Sequence, residues 1–203
     1  MRSAGAADYF DTFGLERRLG IDVAALQRRF YELSRQWHPD FHQAAPAAEQ
    51  ARALEASARV NAAYRALRDP IARVEYLIRL EEGRETKEGA AVKPKAPPAL
   101  LAEMFDIQEA LEQARAAALD DALRGALAAQ REALRTRMTE AEARIVGPLS
   151  RAWDAAAPAE RPGVLAALKE ALATRAYLRT VIDDLEAALG EGPEETHVAH
   201  RGD

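Results

Sequence analysis

Apolar residues recur at spacings of three and four along most of this chain of 203 residues, the period of a helix face. Asp22 stands where an N-cap belongs, ahead of a helix running to about Trp37. Val23, Leu26, Phe30, Leu33 and Trp37 form its stripe. Pro39 stops it, because proline cannot continue the hydrogen-bond ladder and pushes His38 out of the helical region. A second long helix is expected over roughly residues 47–67, with Leu54, Ala58, Tyr64 and Leu67 turned inward. Asp69-Pro70 closes it, and Pro70 opens a shorter helix carrying Val74, Leu77 and Ile78. A brief apolar opener, Tyr9-Phe10 with Phe13 and Leu15, precedes them all. Two antiparallel helices joined by a loop, with short helices at either end, are the expected assembly.

The second half predicts three more helices. Pro98 sits at a first helical position, and that helix is expected to run to about Ala118. The next spans about 120–155 with Leu123, Leu127, Leu134, Met138 and Ile145, and Gly147-Pro148 should kink or break it. The last begins near Pro162 and reaches Leu189, with Leu165, Leu168, Leu172, Leu178, Ile182, Leu185 and Leu189 on its face. Short connections make these antiparallel neighbours, a three-helix bundle. Between the halves, residues 83–98 (GRETKEGAAVKPKAPP) read as a linker, and residues 190–203 as a disordered acidic tail. The domains are therefore expected at 1–82 and 99–189.

Composition supports an all-α class. Ala accounts for 47 residues, and Val, Ile and Thr together for only 21, a balance that favours helices over sheets. There is no cysteine, so disulfides, thiolate zinc sites, cysteine-held clusters and cysteine nucleophiles are excluded within this chain. The net charge of -5 argues against nucleic acid as a partner; it divides as +2 over 1–98, -4 over 99–189 and -3 in the tail. No run of about 18 apolar residues suits a membrane span. The opening MRSAGAADYF lacks the apolar core of a signal peptide, so a cytoplasmic location is expected.

The sharpest local feature is His38-Pro39-Asp40 in the loop after the first long helix. Alone it is compatible with ordinary helix-end chemistry. Its context is more specific: Asp8-Tyr9-Phe10 and Phe13-Gly14-Leu15 precede it, and Asn61-Ala62-Ala63-Tyr64-Arg65-Ala66-Leu67 follows. In order and spacing, residues 8–80 resemble a J-domain. In such domains His-Pro-Asp stimulates ATP hydrolysis by a partner DnaK-type chaperone. The resemblance places that role on His38, Pro39 and Asp40 and implies a regulator, not an enzyme. Arg28, Arg29 and Arg35 on the preceding helix either steer an acidic partner surface or form a solvated face. Phe41-His42 stands where many J-domains carry a cation; Phe41 is expected to dock the loop on the helical pair.

Neither a Gly/Phe-rich segment nor a cysteine-rich module follows. Instead Asp69-Pro70, Ala72-Arg73-Val74-Glu75-Tyr76-Leu77, a linker and a bundle make the layout of 8–189 resemble the HscB family of iron–sulfur co-chaperones. That resemblance implies two partners, an HscA-like ATPase and the scaffold protein IscU, with a monomer sufficient. At about 100° per residue, Leu100, Met104, Ile107, Leu111 and Ala114 share one stripe. Leu101 and Phe105 fall about 100° and 140° from Leu100, off that stripe and stacked one turn apart. Tyr177 flanks the stripe of the last helix. The resemblance puts client contact on Leu101, Met104, Phe105 and Tyr177; the alternative is a wide apolar face completing the core.

Other residues support no chemistry. His38 and His42 have no evident third ligand, and His197 and His200 lie in the tail, so neither a metal nor another cofactor is expected. Asp120-Asp121 and Asp183-Asp184 diverge as helix neighbours. No glycine-rich phosphate loop occurs. Two further functions stay open at this point: a J-domain adaptor for another client, and a helical interaction module with no chaperone partner.

Overall fold

A computed structural model of the chain describes residues 8–83, 105, 107, 109, 112 and 120–190. The elements described are all helical: α1 (Tyr9–Phe13), α2 (Val23–Gln36), a 3-10 turn (Pro39–His42), α3 (Ala47–Arg68), α4 (Pro70–Glu81), α5 (Asp121–Arg144), a π-turn (Ile145–Leu149), α6 (Ser150–Ala155) and α7 (Arg161–Leu189). The all-α class is as expected. Beyond Gly83 and Gly190, the expected linker and tail lie outside the described residues.

The chain divides into two compact units. The first comprises Met1–Ala91 with Ala143–Lys169, and the second Val92–Glu142 with Glu170–Asp203. Residues 143–169, expected in the bundle, thus group with the N-terminal helices.

In the first unit α3 packs against α1, α2 and α4. The capping signals work as written. Asp22 accepts from the Ala25 amide, Asp69 from the Ala72 amide, and Asp8 and Asp11 form a reciprocal capping box on α1. Gly14, at φ 68, ends α1 in the left-handed conformation that glycine adopts without strain. Phe10, Phe13, Leu26, Leu33, Val74, Tyr76, Leu77 and Ile78 are buried, and Phe30 stacks on Tyr64 at 4.1 Å.

The inward face of α3 differs from the expected one. Ala53, Val60, Ala63 and Leu67 are buried, whereas Ala58 is exposed and Leu54 is 62% exposed. Counting back from Leu67 at about 100° per residue puts Ala58 about 180° away and Leu54 about 220° away, on the opposite face. Val23, the first residue of α2, is exposed as well.

The segment 145–155 joins this unit through specific bonds. Pro148 has no amide to donate, and the helix rewinds as a π-turn rather than breaking. The buried Ser150 hydroxyl donates to the Ile145 carbonyl at 2.7 Å. One turn later the Asp154 carboxylate accepts from the amides of Leu19, at 2.7 Å, and Gly20, at 2.8 Å. A Cβ on residue 20 would stand 3.0 Å from that carboxylate, a tight contact to which the Asp154 side chain would have to yield by a few tenths of an ångström. From the other side the buried Arg73 guanidinium donates to the carbonyls of Leu19 and Leu67, and burial pushes its pKa down.

In the second unit Ile107, Leu127, Leu134, Leu178, Val181, Ile182, Leu185 and Leu189 form one core. Three helical segments supply it; of the expected stripes, Ile107, Leu127, Leu134, Leu178, Ile182, Leu185 and Leu189 fall in this core, whereas Ile145, Leu165 and Leu168 group with the first unit. Arg135–Glu186 and Arg175–Glu142 pairs bridge α5 and α7 within this unit.

Candidate functional site

The backbone around His38 is set by proline. Trp37 caps α2, its amide donating to the Leu33 carbonyl, and His38 is extended (φ -65, ψ 127), the conformation a following proline imposes. Pro39 then begins the 3-10 turn, in which the Phe41 amide donates to the His38 carbonyl at 3.0 Å. His38 and Asp40 face one another across the turn. The Asp40 amide donates to His38 Nδ1 at 3.3 Å, and that nitrogen lies 3.5 Å from the Asp40 carboxylate. Both side chains remain exposed, and Gln43 donates to the Asp40 carboxylate from behind.

What secures this turn is His42, not Phe41. The His42 ring stacks on Trp37. Its Nε2 lies 3.0 Å from the Gln36 carbonyl, one of the last of α2, and its Nδ1 3.7 Å from a Glu49 carboxylate oxygen. The Gln50 amide donates to the carbonyls of Gln43 and Ala45, tying the rest of the loop to α3. Phe41 is not buried against the helical pair: it is 71% exposed, and its ring meets the edge of the His38 ring at 5.9 Å. The expectation of a docking phenylalanine is corrected accordingly, since imidazole can stack and also satisfy a helix-terminal carbonyl, which phenyl cannot.

On α2, Arg28, Arg29 and Arg35 are all exposed. Arg28 and Arg35 lie about 20° apart around the helix, while Arg29 is about 100° from Arg28. Arg29 pairs with Glu32 at 2.9 Å, so the three cations do not act as one patch. Tyr31, 62% exposed, stands on the same side as Arg28 and Arg35.

In the second unit Phe105 is helical and 77% exposed, while Ile107, about 200° around the helix, is buried. Leu101 and Met104 lie outside the described residues. Glu109 and Glu112 are exposed and lie within about 40° of Phe105, so that face carries two carboxylates beside the ring. Tyr177 is partly buried and packs against the core of this unit.

Residues 8–76 match the DnaJ domain family. The structure is similar to that of chaperone HscB from Vibrio cholerae, at 27% identity and a TM-score of 0.52, covering 88% of this chain and 99% of that one. Residues 8–76 form a J-domain, in a chain whose fold is similar to HscB over most of its length. The fold is also shared with human co-chaperone protein HscB, at 24% identity and a TM-score of 0.58, over 91% of this chain and 83% of that one.

Within the J-domain the structure brings His38, Pro39 and Asp40 together at the end of α2, with Arg35 on the last turn of that helix. Phe105 and Tyr177 belong to the second unit. Residues not singled out from sequence are Tyr31, Glu109 and Glu112; His42 was weighed there only as a metal ligand beside His38, and the structure makes it a brace of the turn. For Tyr31 and the two glutamates the signal was present as helical spacing from Arg28 and from Phe105. For His42 no local signal existed, because its partners come from α2 and α3. Among the described residues no group of three or more His, Asp or Glu is placed to hold a metal ion, and no helix is long and apolar enough to cross a membrane.

Proposed function

We propose that this chain is a co-chaperone that stimulates ATP hydrolysis by a DnaK-type, HscA-like chaperone and delivers to it an IscU-like iron–sulfur scaffold protein. The observation that carries the reading is the exposed His38-Pro39-Asp40 turn, braced from behind by His42 and Gln50, at its expected place in a DnaJ domain. The turn offers an imidazole and a carboxylate in fixed relation. It changes a partner's ATPase rate by contacting that partner's conformations unequally, with no bond made or broken in this chain. Arg28, Arg35 and, with its charge shared with Glu32, Arg29 favour an acidic partner surface.

The client end is assigned to Phe105 with Leu101, Met104 and Tyr177. An exposed phenylalanine opposite a buried isoleucine supports a binding face there, since isolated core completion would turn the ring inward. The cluster is cargo held by the client, because this chain has no thiolate to offer. Carrying both contacts on one chain raises the effective concentration of client at the ATPase. A monomer, in the cytoplasm, suffices for this role.

Calorimetric titration of purified IscU tests the assignment. Wild type and His38→Gln should bind alike, and Leu101→Ala/Phe105→Ala should bind at least about tenfold more weakly, the range expected for truncated anchors. Absence of binding by the wild type would assign the adaptor to a different client.

A further inference from the structure

The surface that follows His38-Pro39-Asp40 carries an aromatic ring that the fold does not use. Phe41 is 71% exposed, although its backbone is held within the 3-10 turn. Its amide is bonded to the His38 carbonyl, and His42 on its C-terminal side is stacked on Trp37 and set against Gln36 and Glu49. Farther along, Gln50 holds the carbonyls of Gln43 and Ala45. Among the described residues, the ring that meets it is that of His38, edge-on. A phenyl group held out on a fixed turn has little backbone freedom left to lose on binding, and aromatic side chains of this kind dominate interface energies.

We propose that Phe41 is an apolar anchor for the DnaK-type partner, seating in an apolar depression next to the surface that receives His38 and Asp40. The proposal rests on the co-chaperone reading above and deepens it by naming the chemistry of the partner's surface. Charge is already provided along α2 by Arg28 and Arg35, and on the turn by Asp40. The contribution Phe41 adds is burial of a ring, contiguous with the tripeptide through the His38–Phe41 contact. It makes this J-domain selective for partners that present an uncharged hollow at that point.

The test is a titration of full-length protein against a purified DnaK-type chaperone, following ATP hydrolysis. Phe41→Ala should raise the half-maximal concentration about tenfold or more, with the plateau reached at higher concentration. Phe41→Leu should recover most of that loss and Phe41→Lys none of it, while the unfolding temperatures of all three match the wild type. A half-maximal concentration for Phe41→Ala within about twofold of wild type would overturn the proposal. So would rescue by Lys as complete as by Leu, since it would make the contact one of charge or chain length. Failure of the wild-type protein to stimulate any DnaK-type chaperone is a separate outcome, which removes the co-chaperone reading and the anchor with it.

Discussion

Replacing Asp154 by Ala separates two descriptions of the J-domain, as a self-sufficient hairpin or as a unit completed by residues 143–169. The carboxylate is nearly buried and accepts two amides, from Leu19 and Gly20. Arg18, 4.0 Å away and largely exposed, adds little. Leu19 is buried, so its amide loses its acceptor without gaining water; Gly20 is exposed, and water replaces the bond there. Hydrogen bonds to charged groups contribute about 1.5–3 kcal/mol each, and with one of the two largely compensated the expected cost is about 2–3 kcal/mol. For a chain of this length, about 2–4 °C per kcal/mol lowers the unfolding midpoint by roughly 4–12 °C. Asp154→Asn keeps one accepting oxygen and should fall about midway. Urea unfolding followed by circular dichroism measures both variants. If both retain stability within about 0.5 kcal/mol of wild type, as ordinary surface substitutions do, the brace contributes nothing and the reasoning fails.

Two further predictions concern the same unit. Burial pushes the Tyr76 hydroxyl up to about 12, although the Tyr9 amide that donates to it works in the other direction. The folded state therefore holds that proton when the unfolded chain has released it, so stability is whole below about pH 10 and falls as pH rises from there toward 12. Thermal melts across that range check this, and Tyr76→Phe should flatten the decline. His42→Ala removes the stacking on Trp37 and the partner of the Gln36 carbonyl, at a cost of about 1 kcal/mol to the fold. Its larger effect is expected on ATPase stimulation, severalfold lower because the turn loses its brace; stimulation equal to wild type would show that the turn holds without it.

Helix ends were the most legible part of the fold, because their causes are local: Asp22 and Asp69 cap the helices that follow them, and Pro39 and Pro70 mark boundaries. The face of α3 was less legible. This helix is rich in alanine, its exposed Leu54 competes with the small buried Ala53 and Ala63, and the phase is set by Val60 and Leu67 against α1, α2 and α4. The unit boundary was not legible at all. It depends on Asp154 meeting amides more than a hundred positions earlier, and on a π-turn that keeps the chain helical through Pro148. At the candidate site, the tripeptide stood out by residue type and order. The exchange of roles between Phe41 and His42 did not, because it follows from which side chain reaches Gln36 and Glu49 in space.

The central claim is that His38, on its braced turn, acts on a DnaK-type ATPase. Single-turnover ATP hydrolysis by such a chaperone, with saturating wild-type protein or the same concentration of His38→Gln, tests it most directly. The account predicts strong stimulation by wild type and loss of nearly all of it in the variant, whose helical spectrum and unfolding midpoint stay unchanged. Full stimulation by His38→Gln would contradict it.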